Sequence, residues 1–297
     1  MSTATTVTPP SKGRVFASRL FSTLLLWAVL MVAFYLNSAK IVTVIIGLFG
    51  TATAVEYYRL LRRTTLSRSY VVLGLCICLA YWGVVSAWVM AGKGVPPLWL
   101  DLAALTAVTQ GSFLLCFRHQ LAGMQTLERI FSTIFGVVYI VIFFGFVVRI
   151  MYSESGVASA NIFLVLFLVM VTKFCDMGAY LFGVMFGKHK MIPHISPAKS
   201  WEGFVGAFVG GLFGAAILMW VIPDKLSSLG WMHGMLVAPL LCIAGITGDL
   251  AESVLKRCTS IKDSGHTLPG IGGILDLTDS VLFTAPVFYF YLLAIER

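Results

Sequence analysis

The residues of this chain best able to do chemistry crowd into one short stretch. Asp249, Glu252, Asp263, Asp276 and Asp279 place five carboxylates within 31 residues of a 297-residue sequence that holds only 13 acids. Lys256, Arg257 and Lys262 stand among them. Pro269, Gly270, Gly272 and Gly273 make a turn whose backbone can approach a ligand closely. Carboxylates are hard oxygen ligands suited to Mg²⁺ beside substrate phosphates. Lysine and arginine neutralise the remaining phosphate oxygens, and a glycine turn offers N–H groups to anions. Continued as a helix past residue 250, the chain brings Asp249, Ser253, Lys256 and Arg257 onto one face, and Asp276 and Asp279 share another.

A second constellation starts at Lys173 and Asp176 and runs through Lys188, Lys190, Ser196, Lys199 and Glu202. A charge beside a membrane needs a partner or a polar cavity, so Lys173 either pairs with Asp176 or lines such a cavity with it. The later lysines suit phosphates or anionic lipid. No GxSxG, HExxH or Walker A pattern occurs. The six cysteines (76, 78, 116, 175, 242, 258) show no CxxC or Cys/His ligand spacing. They read as small buried hydrophobes, without a disulfide framework or zinc. Gly206, Gly210 and Gly214 read as small-residue helix-packing positions.

The elements that must hold these residues are membrane spans. Hydrophobic residues make up 59% of the chain and charged ones 11%, with a mean hydropathy of +0.92. A soluble domain carries about 25% charged residues, so a soluble enzyme, a disordered chain and a free nucleic-acid binder are all excluded. The +8 net charge fits basic loops facing anionic lipid, not nucleic acid. Nine stretches are long enough to span a bilayer: 15–36, 39–58, 70–91, 98–117, 131–151, 158–180, 203–222, 232–250 and 279–295. The expected fold is all-α and polytopic. It has a disordered tail over 1–14, a five-helix region over 15–151, and a four-helix catalytic region over 152–297 with cytoplasmic loops at 181–202 and 251–278. With nine spans, all Lys and Arg except Lys40, Lys93, Arg149, Lys225 and Arg297 fall on one side. By the positive-inside rule the N-terminus is expected in the cytoplasm.

Two motifs in order then carry a resemblance. Asp176…Ala179-Tyr180…Gly187-Lys188-His189-Lys190…Ser196-Pro197-x-Lys199-Ser200-Trp201-Glu202-Gly203 is the first. Gly248-Asp249-Leu-x-Glu252-Ser253…Lys256-Arg257…Lys262-Asp263…Pro269-Gly270-x-Gly272-Gly273…Asp276-x-x-Asp279 is the second. Together they resemble the CDP-diacylglycerol synthases, the phosphatidate cytidylyltransferases, over roughly residues 173–280. The resemblance implies a bacterial inner-membrane enzyme, active on the cytoplasmic face, that joins CTP and phosphatidate into CDP-diacylglycerol and pyrophosphate. It implies Mg²⁺ dependence, often with K⁺ as well, and a homodimer. Carried over by position, Asp249, Asp276 and Asp279 are expected as metal ligands, and Lys256, Arg257, Lys262 and Asp263 as the catalytic part of the signature. Asp176, Lys188, Lys190, Ser196, Lys199, Ser253, Gly270, Gly272 and Gly273 are expected to bind substrate. Ile271 stands where the family usually has His, and Leu277 where it usually has Arg. A CTP-dependent polyprenol or dolichol kinase, or an inactive or transport relative, is the alternative.

Overall fold

The computed structural model describes residues 32–118, 120–153, 161–259 and 272–295. Among them are eight helices long and apolar enough to cross a membrane. They are α1 (Ala39–Arg62), α2 (Arg68–Met90), α3 (Trp99–Cys116), α4 (Met124–Ile150), α5 (Ile162–Phe186), α6 (Trp201–Val221), α7 (Gly230–Cys258) and α8 (Ile274–Ile295). The chain is an all-α polytopic membrane protein. The expected span over 15–36 lies outside the described residues, except for its last five.

Several helices outrun their apolar stretches. α7 continues to Cys258, and α4 begins at Met124 and runs through a π turn over Val137–Ile142. Hydropathy loses a helix once Asp249, Glu252 and Lys256 enter it, although the backbone hydrogen bonding continues unchanged. The expected loop over 181–202 is corrected as well. α5 extends to Phe186, and a short antiparallel hairpin follows, β1 (Lys190–Ile192) and β2 (Ser196–Ser200), with Lys190 opposite Ser200. The hairpin leads directly into α6, where Ser200 caps the helix by accepting from the Gly203 N–H at 3.1 Å.

In lipid, helices associate by close packing where small residues let backbones approach. α5 and α6 do this through glycine. A Cβ at Gly178 would fall on the Gly206 carbonyl oxygen, and one at Gly210 on the Phe174 carbonyl oxygen. Where α7 joins these two helices, Cys175 of α5 and Cys242 of α7 are buried beside Gly211 and bonded to each other. This corrects the reading of all six cysteines as unpaired hydrophobes. Their partnership depends on α5 and α7 lying side by side, which a separation of 67 residues does not reveal.

Polar contacts tie each end of the bundle. At one end Arg129 Nε donates to the Thr65 carbonyl (3.3 Å), and Glu56 Oε2 accepts the Leu275 N–H (2.8 Å). At the other, the fully buried Arg149 sits 2.8 Å from Asp101 and donates to the Pro96 carbonyl, while the Tyr81 hydroxyl donates to Asp101. Buried charges are retained where partners and hydrogen bonds surround them in this way.

Candidate active site

The first end of the bundle holds a polar cavity of about 430 Å³ between α5, α6, α7, α8 and the hairpin. α7 contributes Asp249, Glu252 and Lys256 to its wall, and α8 contributes Asp276 and Asp279. Asp249, Glu252 and Asp279 each offer a carboxylate oxygen within 4.8 Å of the other two. Glu252 and Asp279 are buried, at 3% and 5% exposure.

Lysines thread between the acids. Lys256 Nζ lies 2.7 Å from Glu252 Oε1 and 2.8 Å from Asp276 Oδ1, joining α7 to α8. Lys199, on β2, reaches 2.9 Å to Asp249 Oδ2 and donates to the Ile246 carbonyl. Lys173 contacts Asp176 at 3.2 Å and donates to the Leu277 carbonyl at 3.1 Å. The Ser280 hydroxyl donates to Asp176, and the Ser280 N–H to Asp279. Among the described residues, five carboxylates face three ammonium groups. That excess of negative charge, presented as hard oxygens, is the donor chemistry of a divalent cation site. Across a Mg²⁺ with bonds of about 2.1 Å, opposite ligands stand about 4.2 Å apart. Adjacent ligands stand about 3.0 Å apart and at least two of the three pairs must be adjacent, so the carboxylates would draw together by up to about 1.8 Å to share one ion.

The start of α8 is fixed from three directions. Glu56 accepts from Leu275, Asp276 Oδ2 accepts from the Gly273 N–H at 3.0 Å, and the Thr53 and Thr278 hydroxyls meet at 3.1 Å. Orphan N–H groups at a helix start need such acceptors. Gly272 has φ +120°, a conformation open to glycine.

Of the residues singled out from sequence, the cavity gathers Asp176, Ser196, Lys199, Asp249, Lys256, Asp276 and Asp279. Gly273 joins indirectly, through Asp276. Lys188 and Lys190 are exposed and do not line the cavity. Ser253 and Arg257 stand off the cavity face of α7. At roughly 100° per residue that face is centred between Asp249 and Glu252, so Arg257 swings away and donates to the Ile195 carbonyl instead. Lys262, Asp263, Gly270 and Ile271 lie outside the described residues. Sequence reasoning left Glu252 unassigned although its spacing from Asp249 and Lys256 was visible. It missed Glu56 altogether. Tyr139, in the π turn of α4, was also missed. Its hydroxyl is buried without a hydrogen-bond partner among the described residues, within electrostatic reach of Asp279 and Glu252.

Fold and cavity together define a class: a polytopic membrane protein with acidic and basic side chains gathered at one end. The family can then be named. The model of the cytidylyltransferase family matches residues 17–295, and the chain belongs to that family. A phosphatidate cytidylyltransferase of Mycobacterium bovis is 38% identical over 159 residues, covering 54% of this chain and 49% of that protein. One of Staphylococcus haemolyticus is 42% identical over 123 residues, 41% of this chain and 46% of that protein. The uncharacterized protein YnbB of Escherichia coli is 40% identical over 129 residues, 43% and 42% of the two chains. The chain spans about half the length of the curated relatives it matches.

Proposed function

We propose that the chain is a phosphatidate cytidylyltransferase, joining CTP and phosphatidate into CDP-diacylglycerol and pyrophosphate. One observation carries the reading: Asp249, Glu252 and Asp279 meet at one end of a membrane bundle, with Lys199, Lys256 and Asp276 around them. The relatives named for phosphatidate support the choice of acceptor.

Asp249, Glu252 and Asp279 would hold the divalent cation, with Mg²⁺ the proposed ion. Bound there, it would draw charge from the triphosphate oxygens and make the α-phosphorus more electrophilic. The chain's own residues do the rest. Lys256, held by two acids at the cavity wall, offsets charge on the leaving pyrophosphate. Lys199 does the same from the hairpin side, and Asp176 keeps Lys173 oriented at the cavity edge. The lipid phosphate is already anionic, so it attacks without a strong general base. Its oxygen bonds to the α-phosphorus in line, the bond to the α–β bridging oxygen breaks, and pyrophosphate leaves with that oxygen. Lys262, Asp263, Gly270 and Gly272 belong to the proposal through the resemblance, with Asp263 orienting Lys262. So do Lys188, Lys190, Ser196, Ser253 and Arg257, as outer contacts for the polyanionic substrates. The bacterial cytoplasmic membrane, a cytoplasm-facing cavity and a homodimer are part of the same proposal. The basic residues at the cavity end support the orientation.

Purified full-length chain, given labelled CTP, phosphatidate and Mg²⁺, should yield CDP-diacylglycerol and pyrophosphate. Release of CDP with phosphorylation of a lipid hydroxyl would instead favour a kinase.

A further inference from the structure

A second cavity, of about 470 Å³, opens between α1, α4, α5 and α8. Its volume falls in the range of about 300–1,000 Å³ typical of small-molecule sites. We infer that it seats an acyl chain of the lipid acceptor, with Lys173 as the ammonium that meets the lipid's phosphate. This rests on the proposed function and adds where the lipid lies.

The groove is apolar by construction. On α5, Val165, Val169, Lys173 and Met177 recur every four residues and line it as one stripe. At about 1.5 Å per residue that stripe is about 18 Å long, the scale of an aliphatic tail rather than of a headgroup. Ile46 and Phe49 of α1 and Val147 of α4 form the facing wall. Among the described lining residues the polar ones are Lys173 and Thr278, and the Thr278 hydroxyl is already bonded to the Ile274 carbonyl and to Thr53. Lys173 is therefore the one charge in an otherwise hydrocarbon trough.

Its position joins the two cavities. Lys173 lines the groove, and its Nζ contacts Asp176, which lines the carboxylate cavity. α8 divides in the same way. Asp276, Asp279 and Ser280 face the polar cavity, while Leu277, Thr278 and Val281 face the groove. An ammonium has three N–H donors, and Asp176 and the Leu277 carbonyl engage two of them. A free phosphate would have no use for the trough, and a neutral hydrocarbon would have no use for the cation. A lipid with an anionic phosphate head uses both, and its head then stands beside the carboxylate trio.

The test compares dipalmitoyl and dihexanoyl phosphatidate as acceptors for the full-length chain. Val169→Trp fills the trough. It should raise KM for the long-chain lipid by about tenfold or more, equivalent to about 1.4 kcal/mol, while the short-chain KM and the CTP KM stay unchanged. Lys173→Met should raise KM for both lipids and leave the CTP KM unchanged. As a check independent of variant folding, phosphatidate carrying a diazirine near its chain end should label wild-type peptides within 42–49, 144–147 and 165–169. Equal effects of Val169→Trp on both lipids, or labelling confined to α2 and α3, would overturn the groove assignment. A wild-type chain that transfers no cytidylyl group to either lipid would overturn the functional reading instead.

Discussion

Asp279 is placed for one task. It is buried at the start of a membrane helix, close to two further carboxylates, and its Oδ1 accepts the Ser280 N–H at 2.6 Å. A carboxylate in such a place without a cation nearby is costly. Asp279→Asn and Asp249→Asn should each lower turnover by about 10²–10³, the scale of losing one transition-state charge contact. Size-exclusion profiles of the purified variants should stay unchanged. Near-wild-type rates in either variant would contradict their role. At this scale much was legible. The acids were rare and clustered, but of the α7 face expected to carry Asp249, Ser253, Lys256 and Arg257 only Asp249 and Lys256 line the cavity, with Glu252 beside them. Glu252 was harder to assign because a sequence does not say which of two neighbouring acids meets lysine and which meets another acid. Asp276 was expected beside Asp279 as a ligand, and its Oδ1 contacts Lys256. Leu277, in place of the Arg that the resemblance would supply, lies in the apolar groove wall.

α8 depends on α1 in a way that local sequence cannot display. Glu56 Oε2 accepts the Leu275 N–H across 219 residues of sequence, so a residue in the first half positions the acids of the second. Replacing it by an amide removes a negative charge from a helix N-terminus and weakens a cap, a cost of about 1–2 kcal/mol. Glu56→Gln should lower kcat with the CTP KM unchanged. A change confined to KM would argue against positioning. The α5–α6 crossing is more readable, since glycines at four-residue spacing announce close helix packing. Gly178 has no such spacing to mark it, yet it meets Gly206 and Gly210. Gly178→Leu should force the helices apart and reduce the yield of folded protein in detergent. The hairpin was missed because strands of three and five residues carry no usable alternation.

Across the whole molecule, charge sorts the two ends. The Arg149–Asp101 pair lies at the end opposite the carboxylate cavity, so it should serve stability and not turnover. Arg149→Met leaves Asp101 buried without its ion partner, a loss of about 3–5 kcal/mol visible as a lowered thermal midpoint. Adding Asp101→Asn should recover much of it. Wild-type kcat in the double variant at low temperature would fit that division of labour, and lost kcat would break it. Orientation can be checked by labelling. A cysteine placed at exposed Lys188 should react with an impermeant maleimide in inverted vesicles and be protected in right-side-out ones. The membrane class and the positions of eight expected spans, from 39–58 to 279–295, were legible because bilayer thickness fixes helix length. Helix ends were not, because polar residues continue helices beyond the hydrocarbon.

The most direct measurement is a Mg²⁺ titration of CDP-diacylglycerol formation by the wild type, Asp249→Asn, Glu252→Gln and Asp279→Asn. The account predicts no product in EDTA, saturable recovery with Mg²⁺ in the wild type, and a weakened metal response in each variant. Product formation that ignores EDTA, or variants whose Mg²⁺ dependence matches the wild type, would contradict it.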